Sequence, residues 1–544
     1  MRTHNTSAKG LTVQAVAGTY VVLLGFDLAA QDRKGLLGFA IQRTDQTEHE
    51  VRWLQGMLTF PNIPASPNGK MGTNVFPIQK FRWGDYTAKP SHSYTYQVQA
   101  MYGAPGSLAA GDSVTVNVQT EDPLHVGSDG HQVHFNRSAA ASQAYVAKFG
   151  DKDPGEIPGG AAFSWLSRGL EESLIAFIGR ATDQTYSLHL SVYEFQKDNF
   201  LAALRQAVDR NVKVEIIYDA IAGPGKPRDA NQAAIQKHQL EAVCHPRTNI
   251  PSISHNKFIV LCQNDQPLAV WTGSTNFTDG AIYGQANVGH AIEDKDLAAT
   301  YLQIHQQLLQ DPNLAHSRSN AEKFSPVPPV GTPRWYPIFS PRSTMVAIDT
   351  CAQLIRNAQG LVCFTAPFGL DSKLNEVLDD PQNKFLTFGL LNKADNNVEA
   401  VRRTARDRFV AAARVVTKLD QFQVESLHHS GVYIHTKYIL IDPLSSAPLV
   451  VTGSANFSRN SSVNNDENQL VIANQPAVVD VYLGEFMRMY EHYTFRFLLE
   501  RTANDPAGRF LCTDDSWTNK YFSGGLEQQD RQIFSTQKMS ERTP

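Results

Sequence analysis

Strict alternation of apolar and polar residues marks two early stretches, Tyr94-Thr95-Tyr96-Gln97-Val98-Gln99-Ala100 and Ser113-Val114-Thr115-Val116-Asn117-Val118. A period of two sets one face of each against a core, so both read as β-strands. Shorter apolar runs at 12–16, 19–26 and 38–42, divided by Gly, Pro and Asn clusters, read the same way. Residues 1–122 are therefore predicted to be an all-β sandwich, a docking or covering module. Beyond residue 160 the period changes. Residues 170–181 and 200–209 space their apolar positions as helices do, while 186–192 and 212–218 are strand-like. Strand, helix, strand in that order predicts a βαβ unit and an α/β fold. The opening of this pattern returns as a helix over 347–358 and an extended run over 361–365, and 478–497 reads as a closing amphipathic helix.

These changes of pattern divide the chain. A linker over 123–160 contains His125, His131 and His134 and a helical stretch over 138–149; a first α/β half covers 161–325. A Pro-rich connector occupies 326–340, a second half 341–500 and a polar tail 501–544. Trp517, Tyr521 and Phe522 predict that part of the tail packs back, with the stretch 530–544 loose.

Composition narrows the class. With 544 residues, 42% hydrophobic and 19% charged, the chain is an ordinary globular protein with ample core. Its net charge of −4 offers no broad basic field for indiscriminate nucleic-acid binding. Five scattered cysteines, Cys244, Cys262, Cys351, Cys363 and Cys512, form no CxxC pair, which argues against a disulfide framework or a zinc site. They fit a reducing compartment. The first residues lack an apolar signal core and no run approaches the ~20 apolar residues of a membrane span. A cytoplasmic location is the expectation.

The chemistry lies in a motif written twice. His255-Asn256-Lys257 and His435-Thr436-Lys437 each open an apolar run. Each is followed by Thr-Gly-Ser-x-Asn-Phe, at Thr272–Phe277 and Thr452–Phe457. The interval from His255 to Gly273 equals that from His435 to Gly453, and every matched position is displaced by the same constant offset. One His-x-Lys among 17 histidines is a chance event; two with the same companion at the same spacing mark a duplicated domain. Neutral imidazole is a nucleophile and imidazolium an acid near neutral pH. Lys, Ser and Asn donate hydrogen bonds to anionic oxygen. Two such sets facing one another would put two histidines on opposite sides of one tetrahedral phosphodiester.

The pattern His-x-Lys, four residues, Asp, then Gly-Ser-x-Asn resembles the phospholipase D superfamily over roughly residues 138–496. The resemblance implies two pseudo-twofold-related α-β-α domains and one metal-independent site, without cofactor, working through a phosphohistidine. It implies a catalytic pair, His255 and His435, with Lys257 and Lys437 beside them. Ser274, Asn276, Ser454 and Asn456 are the implied phosphate donors. The N-terminal strand Tyr94-x-Tyr96-x-Val98 resembles those of immunoglobulin and fibronectin type III domains.

The two copies differ. Asp442 stands five residues after Lys437, where the family has its Asp; the first copy has Cys262 there, with Asp265 three residues late. Glu467 resembles the family's acidic residue that orients the imidazole, and Asn287 holds its place in the first copy, each at the same distance along the chain from its own His. Pairing within each copy would give His255 to Asn287 and His435 to Glu467. On that pairing His255 would be the neutral nucleophile and His435 the charged acid; a carboxylate also makes a histidine more nucleophilic, which would exchange the roles.

The substrate expected is a phospholipid, cleaved or transferred by a phospholipase D-type hydrolase or transphosphatidylase, with peripheral membrane contact. The alternatives are a nuclease for DNA or RNA and an inactive binding protein on the same scaffold. Arg402, Arg403, Arg406, Arg408, Arg414 and Lys418 are the cations a nuclease could use, with only Phe409 for base stacking. Duplication lets a monomer hold a complete site.

Overall fold

The computed structural model describes residues 1–65, 71–138, 140, 142–150, 152–250, 252–393, 401–403, 407–412, 433–501 and 510–536. Two four-stranded antiparallel sheets open the chain. One orders Arg2–Thr6, Thr12–Ala17, Val22–Asp27 and Arg82–Asp85; the other orders Glu50–Trp53, Gly38–Asp45, Ser93–Ala104 and Ser107–Gln119. The alternating residues Tyr94, Tyr96 and Val98, and Val114, Val116 and Val118, enter one core with Val13, Leu24 and Phe26 of the facing sheet.

Trp517 and Tyr521 complete that core from the far end of the chain. The buried indole Nε1 donates to the Leu36 carbonyl at 2.8 Å, the partner such a group needs. The helix Leu526–Ser535 follows, with Phe534 buried, Asp530 paired to Arg82 and Arg531 to Asp27. The expectation of a loose stretch from 530 onward is corrected here, since this helix runs to Ser535.

The first α/β half is a seven-stranded sheet ordered Cys244–Arg247, Lys213–Asp219, Tyr186–Val192, Lys257–Gln263, Gln266–Gly273, Val288–Ile292 and His131–Phe135. Tyr186–Val192 and Lys213–Asp219 pair in parallel around the helix Asp198–Asp209, the βαβ unit read from the sequence. The second half orders Tyr336–Ser340, Glu467–Ala473, Leu449–Gly453, Tyr438–Ile441, Leu361–Ala366, Leu386–Leu391, Asp407–Ala411 and Val401–Arg403.

Two strands fall where the sequence suggested linkers. His131–Phe135 is an edge strand of the first sheet, antiparallel to Val288–Ile292, and Tyr336–Ser340 is an edge strand of the second, antiparallel to Glu467–Ala473. Both are buried nearly throughout, so neither shows the alternation that reveals a half-exposed strand.

The helix Pro476–Arg501 joins the halves. Its Val479, Tyr482, Phe486 and Met487 share one core with Val260 and Val270 of the first sheet and Leu440 and Val450 of the second. It is not amphipathic, as the sequence suggested, because it is enclosed on several sides. Its buried charges are paired: Asp480 with Arg2, and Glu485 with Arg168 and Arg488. Among the described residues no helix is long and apolar enough to cross a membrane.

Candidate active site

Each motif sits where a central strand begins. Lys257 opens the strand Lys257–Gln263, and Lys437 immediately precedes Tyr438–Ile441. Each Gly-Ser ends the neighbouring strand, where glycine is required. Gly273 has φ 149° and a Cβ there would stand 2.2 Å from the Val288 carbonyl; Gly453 has φ 138° and its Cβ would stand 2.4 Å from that of Asn468.

Backbone hydrogen bonds bring the motifs together. His255 N donates to Asp466 O at 2.8 Å, and Asp466 N donates to Ile253 O at 3.1 Å. His435 N donates to Ala286 O at 3.0 Å, and Ala286 N donates to Tyr433 O at 2.7 Å. Each contact is the other moved by the offset of the duplication, with the halves exchanged.

That exchange overturns the pairing expected from the sequence. His255 Nδ1 lies 3.3 Å from Glu467 Oε2, and His435 Nδ1 lies 3.0 Å from Asn287 Oδ1. Each ring is held by a residue of the other half, because the strand carrying the partner reaches across the seam. Spacing within one copy carries no information about that crossing.

Glu467 is fully buried and anchored on every side. Its Oε1 accepts from Ser461 Oγ at 3.0 Å and Asn465 Nδ2 at 2.6 Å, and its Oε2 from the Asn456 backbone N–H at 3.2 Å. Burial pushes its pKa up, but His255 and these donors outweigh burial and hold it below the usual value. Asn287 Oδ1 accepts from Ser274 Oγ at 2.8 Å, and its Nδ2 donates to Ala281 O at 2.9 Å. Since that oxygen can only accept, His435 Nδ1 carries the hydrogen and leaves Nε2 with a lone pair.

Burial and the nearby lysines keep both rings neutral. Desolvation first, then Lys257, push His255 down to about 4. Desolvation, Lys437, Lys257 and His255 hold His435 well below its ordinary value. Lys257 Nζ donates to His255 O at 2.7 Å and Lys437 Nζ to His435 O at 2.6 Å. Burial brings Lys257 down to about 7 and Lys437 well below the usual lysine range, its neighbour Lys257 adding to the effect. Burial thus disfavours the charged form of both lysines in the free protein, and an anion between them would restore it.

The other expected residues fare differently. Ser274 Oγ is engaged with Asn287 and accepts from Val288 N at 3.1 Å; Ser454 Oγ accepts from Asn468 N at 3.0 Å. Both hydroxyls brace the strand edge beneath the site in the free protein. Asn276 Nδ2 donates to Glu194, whereas Asn276 Oδ1 and Asn456 Oδ1 are buried without a partner. Asp442 is not at the site. It stands beyond the far end of the strand that Lys437 precedes, roughly 15 Å along the chain, and its carboxylate accepts from the backbone N–H groups of Gln359, Gly360 and Leu361 at 2.7–3.1 Å. It fastens a turn.

Residues at the site that the motifs did not reveal come from the strand beside each His-x-Lys. The Tyr193 ring lies 5.0 Å from that of His255 and the Phe368 ring 6.4 Å from that of His435. Val192 is paired with Lys257, and the matching register sets Ala366 opposite Lys437. Glu194 and Phe368, each two residues on, thus hold equivalent places with opposite chemistry. Phe368 is 62% exposed. The signal available was position, just past the end of a central strand.

Arg247 was also missed. Fully buried, it binds Asp466 Oδ2 at 2.8 Å, Asp311 Oδ1 at 2.7 Å and Ser317 Oγ at 2.9 Å. It therefore ties the first half to the residue that precedes Glu467.

Of the cationic run, Arg408 is engaged with Glu527 at 3.1 Å and Asp530 at 3.3 Å. The side chains of Arg402, Arg403 and Arg406, and all of Arg414 and Lys418, lie outside the described residues.

A family model described as cardiolipin synthase, PLD-like domain, matches residues 174–309 and 369–490. A phospholipase D from Rickettsia bellii (strain RML369-C) is 32% identical over 117 residues, which are 22% of this chain and 54% of that protein. The alignment thus spans about half the relative's length. Among solved structures, phosphatidylserine synthase of Haemophilus influenzae Rd KW20 is similar at 15% identity and TM-score 0.42, over 64% of this chain and 94% of that one. Nuc, a phospholipase D family member from Salmonella typhimurium, is similar at 26% identity and TM-score 0.21, over 25% of this chain and 84% of that one. Over those two stretches the chain is thus similar to PLD-like domains, and over 117 residues to a phospholipase D.

Proposed function

We propose that the chain is a phosphodiesterase whose two halves, related by a pseudo-twofold axis, build one site that works through a phosphohistidine without metal in the chemical step. The observation that supports this reading is the reciprocal placement of the two rings, His255 Nδ1 3.3 Å from Glu467 and His435 Nδ1 3.0 Å from Asn287. His255 Nε2 attacks phosphorus as the bond to the leaving oxygen breaks, and His435 supplies that oxygen's proton. The Glu467 carboxylate then faces the positive ring of phosphorylated His255. His435 next removes a proton from water, or from an acceptor alcohol, whose oxygen attacks phosphorus and releases His255.

The general acid must begin protonated, yet both rings are neutral in the free protein. Burial first, then Lys437 and Lys257, keep His435 neutral; an anionic phosphodiester bound between the lysines favours its charged form, so substrate binding loads the proton.

A phospholipid fits the site better than a nucleic acid. Glu194 places a carboxylate beside Lys257 and Asn276, and a polyanionic strand would meet it unfavourably. A zwitterionic head group would bring a cation to it, while exposed Phe368 offers an apolar surface on the other side. The nuclease reading keeps one supporting feature, that the same ring could stack a base.

Turnover of phosphatidylcholine vesicles and of single-stranded DNA, side by side without added metal, tests the proposal, with His255→Ala and His435→Ala as controls. Lipid cleavage lost in both variants is the expected result. DNA cleavage alone would replace lipid by nucleic acid, and turnover that survives His255→Ala would overturn the two-histidine scheme.

A further inference from the structure

The first sheet carries a second cluster of histidines, on the face opposite Lys257. His189 and Glu215 are register partners on the parallel strands Tyr186–Val192 and Lys213–Asp219, with Nδ1 and Oε2 2.8 Å apart. The helix Lys295–Leu308 covers them and presents His305, whose ring centroid is 5.3 Å from that of His189. His305 is fully buried and its Nε2 has no hydrogen-bond partner; its Nδ1 lies 3.4 Å from Ser191 Oγ. One donor atom from each of His189, Glu215 and His305 lies within 4.8 Å of the others.

The duplication supplies an internal control. His189 is paired with Val260; at the equivalent place in the second half, Leu440 is paired with Cys363, itself the partner of Phe388. The positions of His189 and Glu215 are thus filled in the second half by Cys363 and Phe388, both within apolar core. The fold accepts apolar groups at this place, so its architecture does not require the polar set. An unpaired nitrogen in a dry core is costly, and this one belongs to a ring packed beside two potential ligands.

We propose that His189, Glu215 and His305 form a zinc site that fastens the helix Lys295–Leu308 to the first sheet. Two imidazoles and one carboxylate suit zinc better than magnesium or calcium, which prefer oxygen. Zinc bonds of about 2.0–2.1 Å set tetrahedral ligands about 3.4 Å apart, so donors that lie within 4.8 Å of one another, with the His189–Glu215 pair at 2.8 Å, need shift by only an ångström or so. The Glu215 side chain, 22% exposed, opens an edge through which the ion and a water for the fourth position can enter. Lys213, 3.2 Å from the other Glu215 oxygen and 61% exposed, is free to swing into solvent. The site lies roughly 10 Å along the strand from the residue paired with Lys257 and takes no part in the proposed turnover.

The full chain, stripped with EDTA and dialysed, is titrated with zinc by calorimetry and with cobalt by absorption. The expected result is one equivalent bound, tetrahedral cobalt bands and a raised melting temperature. Glu215→Gln, at a partly exposed position, and His305→Leu should each weaken binding by more than ~100-fold, beyond the range seen for residues that only support a ligand. His255→Ala should bind zinc as the native chain does. Absence of stoichiometric binding by the native chain, binding unchanged in Glu215→Gln, or binding lost in His255→Ala would overturn the proposal.

Discussion

Glu467 and Asn287 hold equivalent places in the duplication and differ by one functional group, so they offer a test of which ring attacks. If His255 is the nucleophile, Glu467→Gln removes the charge facing its phosphorylated form. A fall in kcat of at least ~100-fold is expected, as for loss of a catalytic proton-handling group, with a smaller effect from Asn287→Ala. In His435→Ala, a p-nitrophenyl phosphodiester needs little help from an acid, so a burst of nitrophenolate and a trapped phosphohistidine should remain. A burst in His255→Ala, absent in His435→Ala, would reverse the assignment.

The buried imidazoles also set a pH dependence. His255, His131 and His134 are each pushed down to about 4, chiefly by burial, whereas in the unfolded chain they titrate near 6.5. Between these values the unfolded state binds more protons, so stability is complete above about pH 6.5 and is lost as pH falls toward 4. Asp219, raised to about 6 by burial, acts in the opposite sense and offsets only part of this. Denaturant midpoints measured from pH 7 to pH 5 should fall; a flat or rising profile would contradict the burial of these rings.

Among the elements, the strand ends and the segments between them decide the site. The loop side of Cys244–Arg247 delivers Arg247 across the seam to Asp466, one residue before the carboxylate that holds His255. Arg247→Ala strands two acids, one of them fully buried, and should destabilise by about 3–5 kcal/mol. Activity of the folded fraction should drop as well, because Glu467 loses its support; an unchanged urea midpoint would sink this account.

The elements also show where periodicity works. The alternating strands around Tyr96 and Val116 and the helix Asp198–Asp209 were legible because each has one wet face. His131–Phe135 and Tyr336–Ser340 were missed, and the joining helix Pro476–Arg501, read as a helix, was wrongly expected to be amphipathic, because each is enclosed on more than one side. Burial from both sides erases the alternation on which a sequence reading depends.

In the whole molecule the two ends of the chain are stitched together. Trp517 and Tyr521 pack with Phe39 and Phe81 inside the N-terminal pair of sheets, with Trp517 centred 5.5 Å from Phe81. The tail is thus part of that core. Trp517→Ala should cost about 3–5 kcal/mol, as for truncation of a buried aromatic, and lower the melting temperature of the full chain. No change would mean that the tail merely rests on the surface.

The sequence by itself determined that a motif is duplicated, since one of fixed internal spacing recurs at a constant offset, and it singled out both histidines and both lysines as candidates. Covalent spacing is a property of the chain and survives without coordinates. Only the tertiary structure decided which partner each ring receives, that Asp442 fastens a turn, and that Tyr193, Glu194, Phe368 and Arg247 belong at the seam. Those are contacts between separate halves. They are fixed by how two sheets pack around a shared helix, and no spacing within either half encodes them.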